Sequence, residues 1–352
     1  MANKKKTSSQ ATLPKVARRK QQLLVVQFPH PGTEAVPTRL EKMSNPIVKA
    51  WNQGSHKRKF MKAKGQIVDC NGNLLPEQDL LFWGEWEPTS WVYPIQQSSG
   101  NGVQPKWLHL PFLDVSATPP AGVSSNVTGC GGAGCNPTPN VPTSLQQKYS
   151  NTDPLVFGDY FIYSNCRQTR KNDGVPAPTQ MQSLLPGSII LFGSKLSDQN
   201  GNPYFALDTV FVVGESRPYV PKDCKIDLNG FVPHDFARIM GPSFMNGSTP
   251  FTCYRGATVN NPIEGMYSFV PCKPYPGMNI GFPRVKLTDK DFAQLTKLVN
   301  NSKIIINGLS QNYHFIEIQN ITISKKIWET VCDIVKQQGY ERGVNLKYQC
   351  IP

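Results

Sequence analysis

Residues 184–216 read LLPGSIILFGSKLSDQNGNPYFALDTVFVVGES. Two runs rich in β-branched and aromatic residues, LLPGSIILFGS (184–194) and YFALDTVFVVGES (204–216), flank Asn200-Gly201. Asn-Gly between two such runs is a hairpin signal, so the runs read as a pair of neighbouring strands. The device occurs again in GQIVDCNGNLL (65–75), where an apolar run meets Asn71-Gly72 and then Leu74 and Leu75. LLVVQF (23–28) reads as a first buried strand, stopped by a PHPG turn. DLLFWGEWEP (79–88) and PLVFGDYFIYS (154–164) read as further strands.

The chain has 352 residues with 28 Gly and 31 Pro, a composition that favours many turns and long loops. Residues 96–148 concentrate Ser, Gly, Pro, Asn and Thr and read as an insertion. The last 65 residues change character. TDKDFAQLTKLVNN (288–301) has a helical face of Phe292, Leu295, Leu298 and Val299, with Thr288 or Asp289 as cap. SKKIWETVCDIVKQQG (324–339) is the strongest helix, with Ser324 as N-cap, a stripe of Ile327, Val331, Ile334 and Val335, and Gly339 as stop. The fold class expected is α+β. It comprises a basic disordered tail (1–22), a mainly β body (23–285) carrying the insertion, and an α/β C-terminal segment (286–352) packed on that body.

The net charge of +13 is unevenly placed. Residues 1–64 hold 15 Lys and Arg against Glu34 and Glu41, and the remainder balances at 22 against 22. A basic block at one end suits an acidic partner, most simply nucleic acid. No apolar run reaches the roughly 18–20 residues of a membrane helix, so no membrane partner is expected and the chain reads as cytoplasmic. The nine cysteines are odd in number and irregular in spacing, which favours free thiols. Cys130 and Cys135 lack the second pair that a structural zinc site needs, so no metal ligand is assigned, while a divalent ion between Glu85 and Glu87 stays open. No GxGxxG opens a helix after a strand, and no GxxxxGK[ST], HExxH or GxSxG motif is present, which lowers the standard dinucleotide, P-loop, zincin and α/β-hydrolase classes. The cofactor is left unknown.

Five stretches carry candidate chemistry. VVQFPHPGTE (25–34) presents His30 between prolines that restrict its backbone, with Glu34 four residues on. WNQGSHKRKF (51–60) combines Trp51 and His56 with Lys57, Arg58 and Lys59, and Lys62 follows; cations neutralise phosphate and aromatic rings stack on bases. FWGEWEPTSW (82–91) places Glu85 and Glu87 on one strand face, where like charges repel unless a cation or substrate lies between them. The least demanding solution pairs them with Arg58 or Lys59 across adjacent strands. NTDPLVFGDYFIYSNCRQ (151–168) contributes Asp153 and also Cys166, whose thiolate Arg167 favours. In FALDTVFVV (205–213), Asp208 interrupts an apolar strand and needs a partner.

The run of QFPHPG, HKRKF, FWGEWEP, TDPLVFG, GSIILFGS and LDTVFVV resembles uncharacterised bacterial and phage proteins predicted to act in nucleic-acid modification or defence systems. The resemblance covers roughly residues 24–350 without the insertion and implies no catalytic role for any residue. The expected function is a nucleic-acid-associated protein with a nucleotide- or base-processing site. His30, Glu34, His56, Glu85 and Glu87 are its catalytic candidates; Lys57, Arg58, Lys59, Lys62 and Trp51 contact nucleic acid, and Asp153, Cys166 and Asp208 support them. The rivals are a non-catalytic nucleotide or modified-base binding module, and a structural protein whose polar residues satisfy a loop-rich fold. Whether the protein is an enzyme stays open at this level.

Overall fold

The computed structural model describes residues 20–30, 32–35, 47–49, 57–86, 90–97, 104–111, 155–157, 160–172, 174–233, 236, 248–277, 280–299 and 314–347. Most of the basic tail and of the 96–148 insertion, with Cys130 and Cys135, lies outside these residues. In chain order the strands are β1 (Leu24–His30), β2 (Ile47–Lys49), β3 (Arg58–Val68), β4 (Gln78–Glu85), β5 (Ser90–Pro94), β6 (Gln96–Gln97), β7 (Trp107–Pro111), β8 (Leu155–Phe157), β9 (Tyr160–Tyr163) and β10 (Thr169–Asn172). They continue as β11 (Val175–Pro178), β12 (Ile189–Ser197), β13 (Pro203–Tyr219), β14 (Phe251–Gly256), β15 (Val270–Pro274), β16 (Ile280–Gly281), β17 (Val285–Leu287), β18 (His314–Glu317) and β19 (Glu341–Lys347). Two helices of more than one turn, α1 (Asp289–Lys297) and α2 (Ile321–Gln337), complete the described frame.

Two large sheets result. One has the order β18-β1-β12-β13-β14-β9-β8, with β17 joined to β13; the other runs β19-β15-β4-β3-β7-β5-β2. In the second sheet β19 pairs with β3 as well as β15, which closes β3, β4, β15 and β19 into a ring. The β12–β13 and β3–β4 hairpins turn on the same pentapeptide pattern. Asp198 Oδ1 accepts the N–H groups of Asn200 and Asn202 at 2.9 and 2.8 Å, and Asp69 Oδ1 accepts those of Asn71 and Asn73 at 2.8 Å each. Only Gly201 (φ +81°) and Gly72 (φ +86°) take the left-handed conformation. Each turn is thus a three-residue type with one glycine, not the two-residue turn in which Asn would also have positive φ.

The alternation of each strand sorts its side chains between two cores. Leu24, Val26 and Phe28 of β1, Ile190 and Phe192 of β12, and Phe211 and Val213 of β13 share one cluster with Met61, Ala63 and Ile67 of β3 and Leu80 and Phe82 of β4. The opposite face of β1, β12 and β13, with Val25, Ile189, Leu191 and Val212, shares a second cluster with Phe292 and Leu295 of α1 and Ile327, Val331 and Val335 of α2. Strands buried on both faces read as continuous apolar runs, which is why LLVVQF and TVFVV lack polar alternation.

The expectation of an α+β fold is overturned. The structure is 50% strand and 17% helical, with three helices among the described residues and several mixed sheets. The 286–352 segment looked α/β because α2 has such a clear stripe. Its strands β17, β18 and β19 nevertheless join the two large sheets, and its helices pack into a cluster that holds residues of both. Two local readings also shift. α2 begins a turn earlier than Ser324: the Asn320 side chain accepts from Ile323 N at 3.1 Å, while buried Ser324 donates to Gly187 O. β1 runs through Pro29 to His30 instead of turning, because β18 pairs only with Leu24–Gln27 and leaves the Pro29 N side without a partner strand. Among the described residues no helix is long and apolar enough to cross a membrane.

Candidate active site

His30 is the last residue of β1 and stands in register with Ser194 of β12. Polar residues appear here because the apolar runs of both strands stop at the same end of the sheet. Alternation puts His30 on the face of Phe28, whose ring meets the imidazole edge-on at 4.9 Å. From the other sheet, β4 ends at Glu85 directly across from Arg58, the first residue of β3. The rim where the sheets meet therefore joins His30 to Glu85 and Arg58.

His30 Nδ1 lies 2.8 Å from Glu85 Oε2, and Arg58 Nη1 donates to the same oxygen at 2.9 Å. If the guanidinium keeps the Glu85 carboxyl ionised, it has no proton to donate. In that state the hydrogen of a neutral imidazole sits on His30 Nδ1, and Nε2 serves as an acceptor. Cys166 Sγ lies 3.1 Å from that Nε2. Thiol, imidazole and carboxylate thus form one line, with His30 and Glu85 buried at 5% and 1% exposure and Cys166 half-buried.

The thiol is delivered by a turn after β9. Gln168 N donates to Asn165 O at 3.1 Å, leaving Cys166 and Arg167 as the central pair. Arg167 has φ +59°, a left-handed conformation that costs a non-glycine residue about 1–2 kcal/mol. The turn is held regardless. Tyr163 Oη donates to Cys166 O at 2.7 Å, and Thr179 Oγ1 donates to Arg167 O at 2.7 Å.

Behind Glu85 lies a closed ion network. Phe192 pairs with Thr209 and Gly193 with Leu207, so Asp208 is the extra residue of a β-bulge. The bulge explains why Leu207 and Val210, three apart, both enter the helix-side core while Asp208 turns to the site. Arg58 Nε lies 3.0 Å from Asp208 Oδ2 and donates to Ser194 Oγ at 3.1 Å, while Arg58 Nη2 donates to Gly193 O at 3.0 Å. Arg284 Nη1 donates to Ser194 Oγ at 2.9 Å and approaches both Asp208 oxygens at 3.5 Å; its Nη2 donates to Gly32 O. Burial lowers the Arg284 pKa from its usual value, with Asp208 opposing the shift and Arg58 adding to it. Two guanidinium and two carboxylate groups balance each other, as buried charges must.

Of the residues singled out from sequence, the structure brings together His30, Arg58, Glu85, Cys166 and Asp208. Glu34 bridges Arg58 through its backbone, but its carboxylate has other partners: Lys106 N donates to both its oxygens and Trp107 N to one, each at 2.9 Å. Lys59 is fully buried on the face of β3 opposite Arg58. Burial, with Lys59 adding to it, holds the pKa of His109 on β7 well below its ordinary value. Lys62 pairs with Asp79 at 2.8 Å and covers the Tyr275 ring at 4.1 Å. Lys57 precedes β3, partly exposed. Trp51, His56, Glu87 and Asp153 lie outside the described residues. Gly193, Ser194 and Arg284 were not singled out. The signal for them was indirect: Asp208 inside an apolar strand required a cation, and Arg284 answers it together with Arg58. Among the described residues no group of three or more His, Cys, Asp and Glu is arranged to hold a metal ion.

Comparison with family models, curated proteins and solved structures finds no match to the chain.

Proposed function

We propose that the protein is a cysteine-dependent enzyme that processes a nucleotide or base carried by nucleic acid. Cys166 is the nucleophile, His30 its base and Glu85 the group that orients His30. The observation that supports this is the line from Cys166 Sγ to His30 Nε2 at 3.1 Å and from His30 Nδ1 to Glu85 Oε2 at 2.8 Å. These separations match a nucleophile, a base and its orienting partner. His30 takes the thiol proton as Cys166 sulfur bonds to an electrophilic sp² carbon of an amide, ester or amidine. The imidazolium returns the proton to the departing amine or alcohol. Water, deprotonated by His30, then cleaves the carbon–sulfur bond, and the thiol re-forms. The nucleic-acid part of the reading draws on the net +13 carried by residues 1–64.

Alkylation by iodoacetamide tests the thiol chemistry without a known substrate. The His30→Asn protein should alkylate at Cys166 about tenfold more slowly than wild type at neutral pH, because the thiolate loses its partner. Glu85→Gln should fall between the two. Equal rates in wild type and His30→Asn would overturn the proposal. A second reading, a binding module with a structural polar centre, is favoured by the closed Arg58–Asp208–Arg284–Ser194 network. It requires the variants to lose thermal stability while Cys166 alkylates unchanged.

A further inference from the structure

We propose that the β10–β11 ribbon and Arg167 form a strand-binding subsite that carries the phosphodiester backbone of a single-stranded nucleic acid past Cys166. The inference rests on Cys166 being the reactive centre and adds the substrate's route to it.

The stretch NCRQTRKN (165–172) places Arg167, Arg170 and Lys171 within five residues of the thiol. None of the three makes an ion pair among the described residues, in contrast to Arg58, Arg255 and Arg284, which each face a carboxylate. Arg170 and Lys171 are exposed. Asp173 follows them and lies outside the described residues. The base of the ribbon is also fixed relative to the sulfur. Thr179 N donates to Gln168 O at 2.9 Å, and Gln168 is clamped to Thr252 through Nε2→O at 2.6 Å and Thr252 N→Oε1 at 2.8 Å. The ribbon is a two-stranded sheet of its own, and among the described residues β10 pairs only with β11. Alternation sends Arg170 and Lys171 from opposite faces of β10. An anionic chain lying along the unpaired edge of β10 is therefore flanked by both cations and reaches Arg167 at the turn.

The chemistry of the partner follows from this layout. A row of cations beside a reactive group neutralises a row of anions, and the phosphodiester chain supplies such a row. The half-buried thiol is out of reach of a base stacked in a duplex, so the base must arrive on a single strand or be extruded from the helix. A membrane surface is the less favoured partner. Val175, 65% exposed, is the one exposed large apolar residue of the ribbon, and a single valine gives little insertion energy.

The test uses the full chain and a fluorescent single-stranded oligodeoxynucleotide. Binding is followed by anisotropy as salt is raised. The Arg167→Gln/Arg170→Gln/Lys171→Gln protein should lower the slope of log K against log salt by about 2, and Arg170→Gln/Lys171→Gln alone by about 1.4, at roughly 0.7 per phosphate contact. The double variant decides the matter if the triple change unsettles the turn. Lys325→Gln/Lys326→Gln on exposed positions of α2 should leave the slope unchanged. Saturating oligonucleotide should also slow alkylation of Cys166, but not of exposed Cys70, in wild type and not in the ribbon variant. An unchanged slope, or a Cys166 that the oligonucleotide fails to protect, overturns the proposal. So does loss of binding to phosphatidylserine–phosphatidylcholine vesicles with oligonucleotide binding intact. The slope is read without reaction at Cys166, and alkylation without DNA tests the thiol reading alone, so the two fail separately.

Discussion

The Glu34 carboxylate caps the first residues of β7, accepting three hydrogen bonds from two backbone N–H groups. Burial pushes its pKa up to about 7, against the pull of the Lys106 and Trp107 donors and the charges of Lys106 and Arg284. Desolvation wins, so the folded chain holds this proton more tightly than the unfolded chain. The stability it contributes is fully present below the ordinary carboxyl value of 4.5 and is lost as pH rises to about 7. Wild type should accordingly lose more melting temperature than Glu34→Gln between pH about 5 and about 8, and parallel losses would contradict this. At this scale Asp208 was legible because it breaks an apolar strand and a buried charge must be answered, His30 because prolines bracket it, and Glu85 because like charges on one strand face need a partner. Glu34 was legible as a special residue but not in its role, since its donors come from a strand 72 residues away. Cys166 was harder still. The imidazole it meets lies 136 residues from it in the chain, and local sequence carries no record of that approach.

Elements were legible where local chemistry and burial agree. The β12–β13 and β3–β4 hairpins follow from apolar runs around Asp-x-Asn-Gly-Asn, and α1 follows from Thr288, whose side chain forms a capping box with Asp291. The bulge in β13 left no such mark, because it is set by how Gly193 meets its neighbours. A Cβ at Gly193 would lie 2.2 Å from Ala206 O and 2.7 Å from the Phe205 ring. Gly193→Ala must therefore force β12 from β13 at the point where Gly193 O accepts from Arg58. A destabilisation of about 1–3 kcal/mol or more is expected in denaturant melts, as for other overpacked sites. Gly201→Ala is the comparison: no atom lies within 4 Å of its Cβ, and only the positive φ opposes it, at about 1–2 kcal/mol. If Gly193→Ala proved the milder change, the bulge would not be held in the way described.

At the scale of the molecule, the mainly β body was legible from turn density and strand runs. The recruitment of the C-terminal strands into both sheets was not, because pairings such as β1 with β18 and β3 with β19 span nearly the whole chain. The same long-range architecture separates the members of the candidate site. His30 belongs to one large sheet, Glu85 and Arg58 to the other, and Cys166 to the turn after β9. The line of thiol, imidazole and carboxylate thus behaves as a coincidence detector: neither sheet can assemble it alone. During refolding, pulse alkylation should find Cys166 indifferent to the His30→Asn change until Trp83, whose indole donates to Phe282 O at 2.8 Å, has regained its native fluorescence. A His30-dependent thiol appearing earlier would count against this. Pairing of strands far apart in the chain is slow, so the thiol would behave as an ordinary cysteine until both sheets have formed, and the order of assembly would set the moment at which thiol, imidazole and carboxylate first meet.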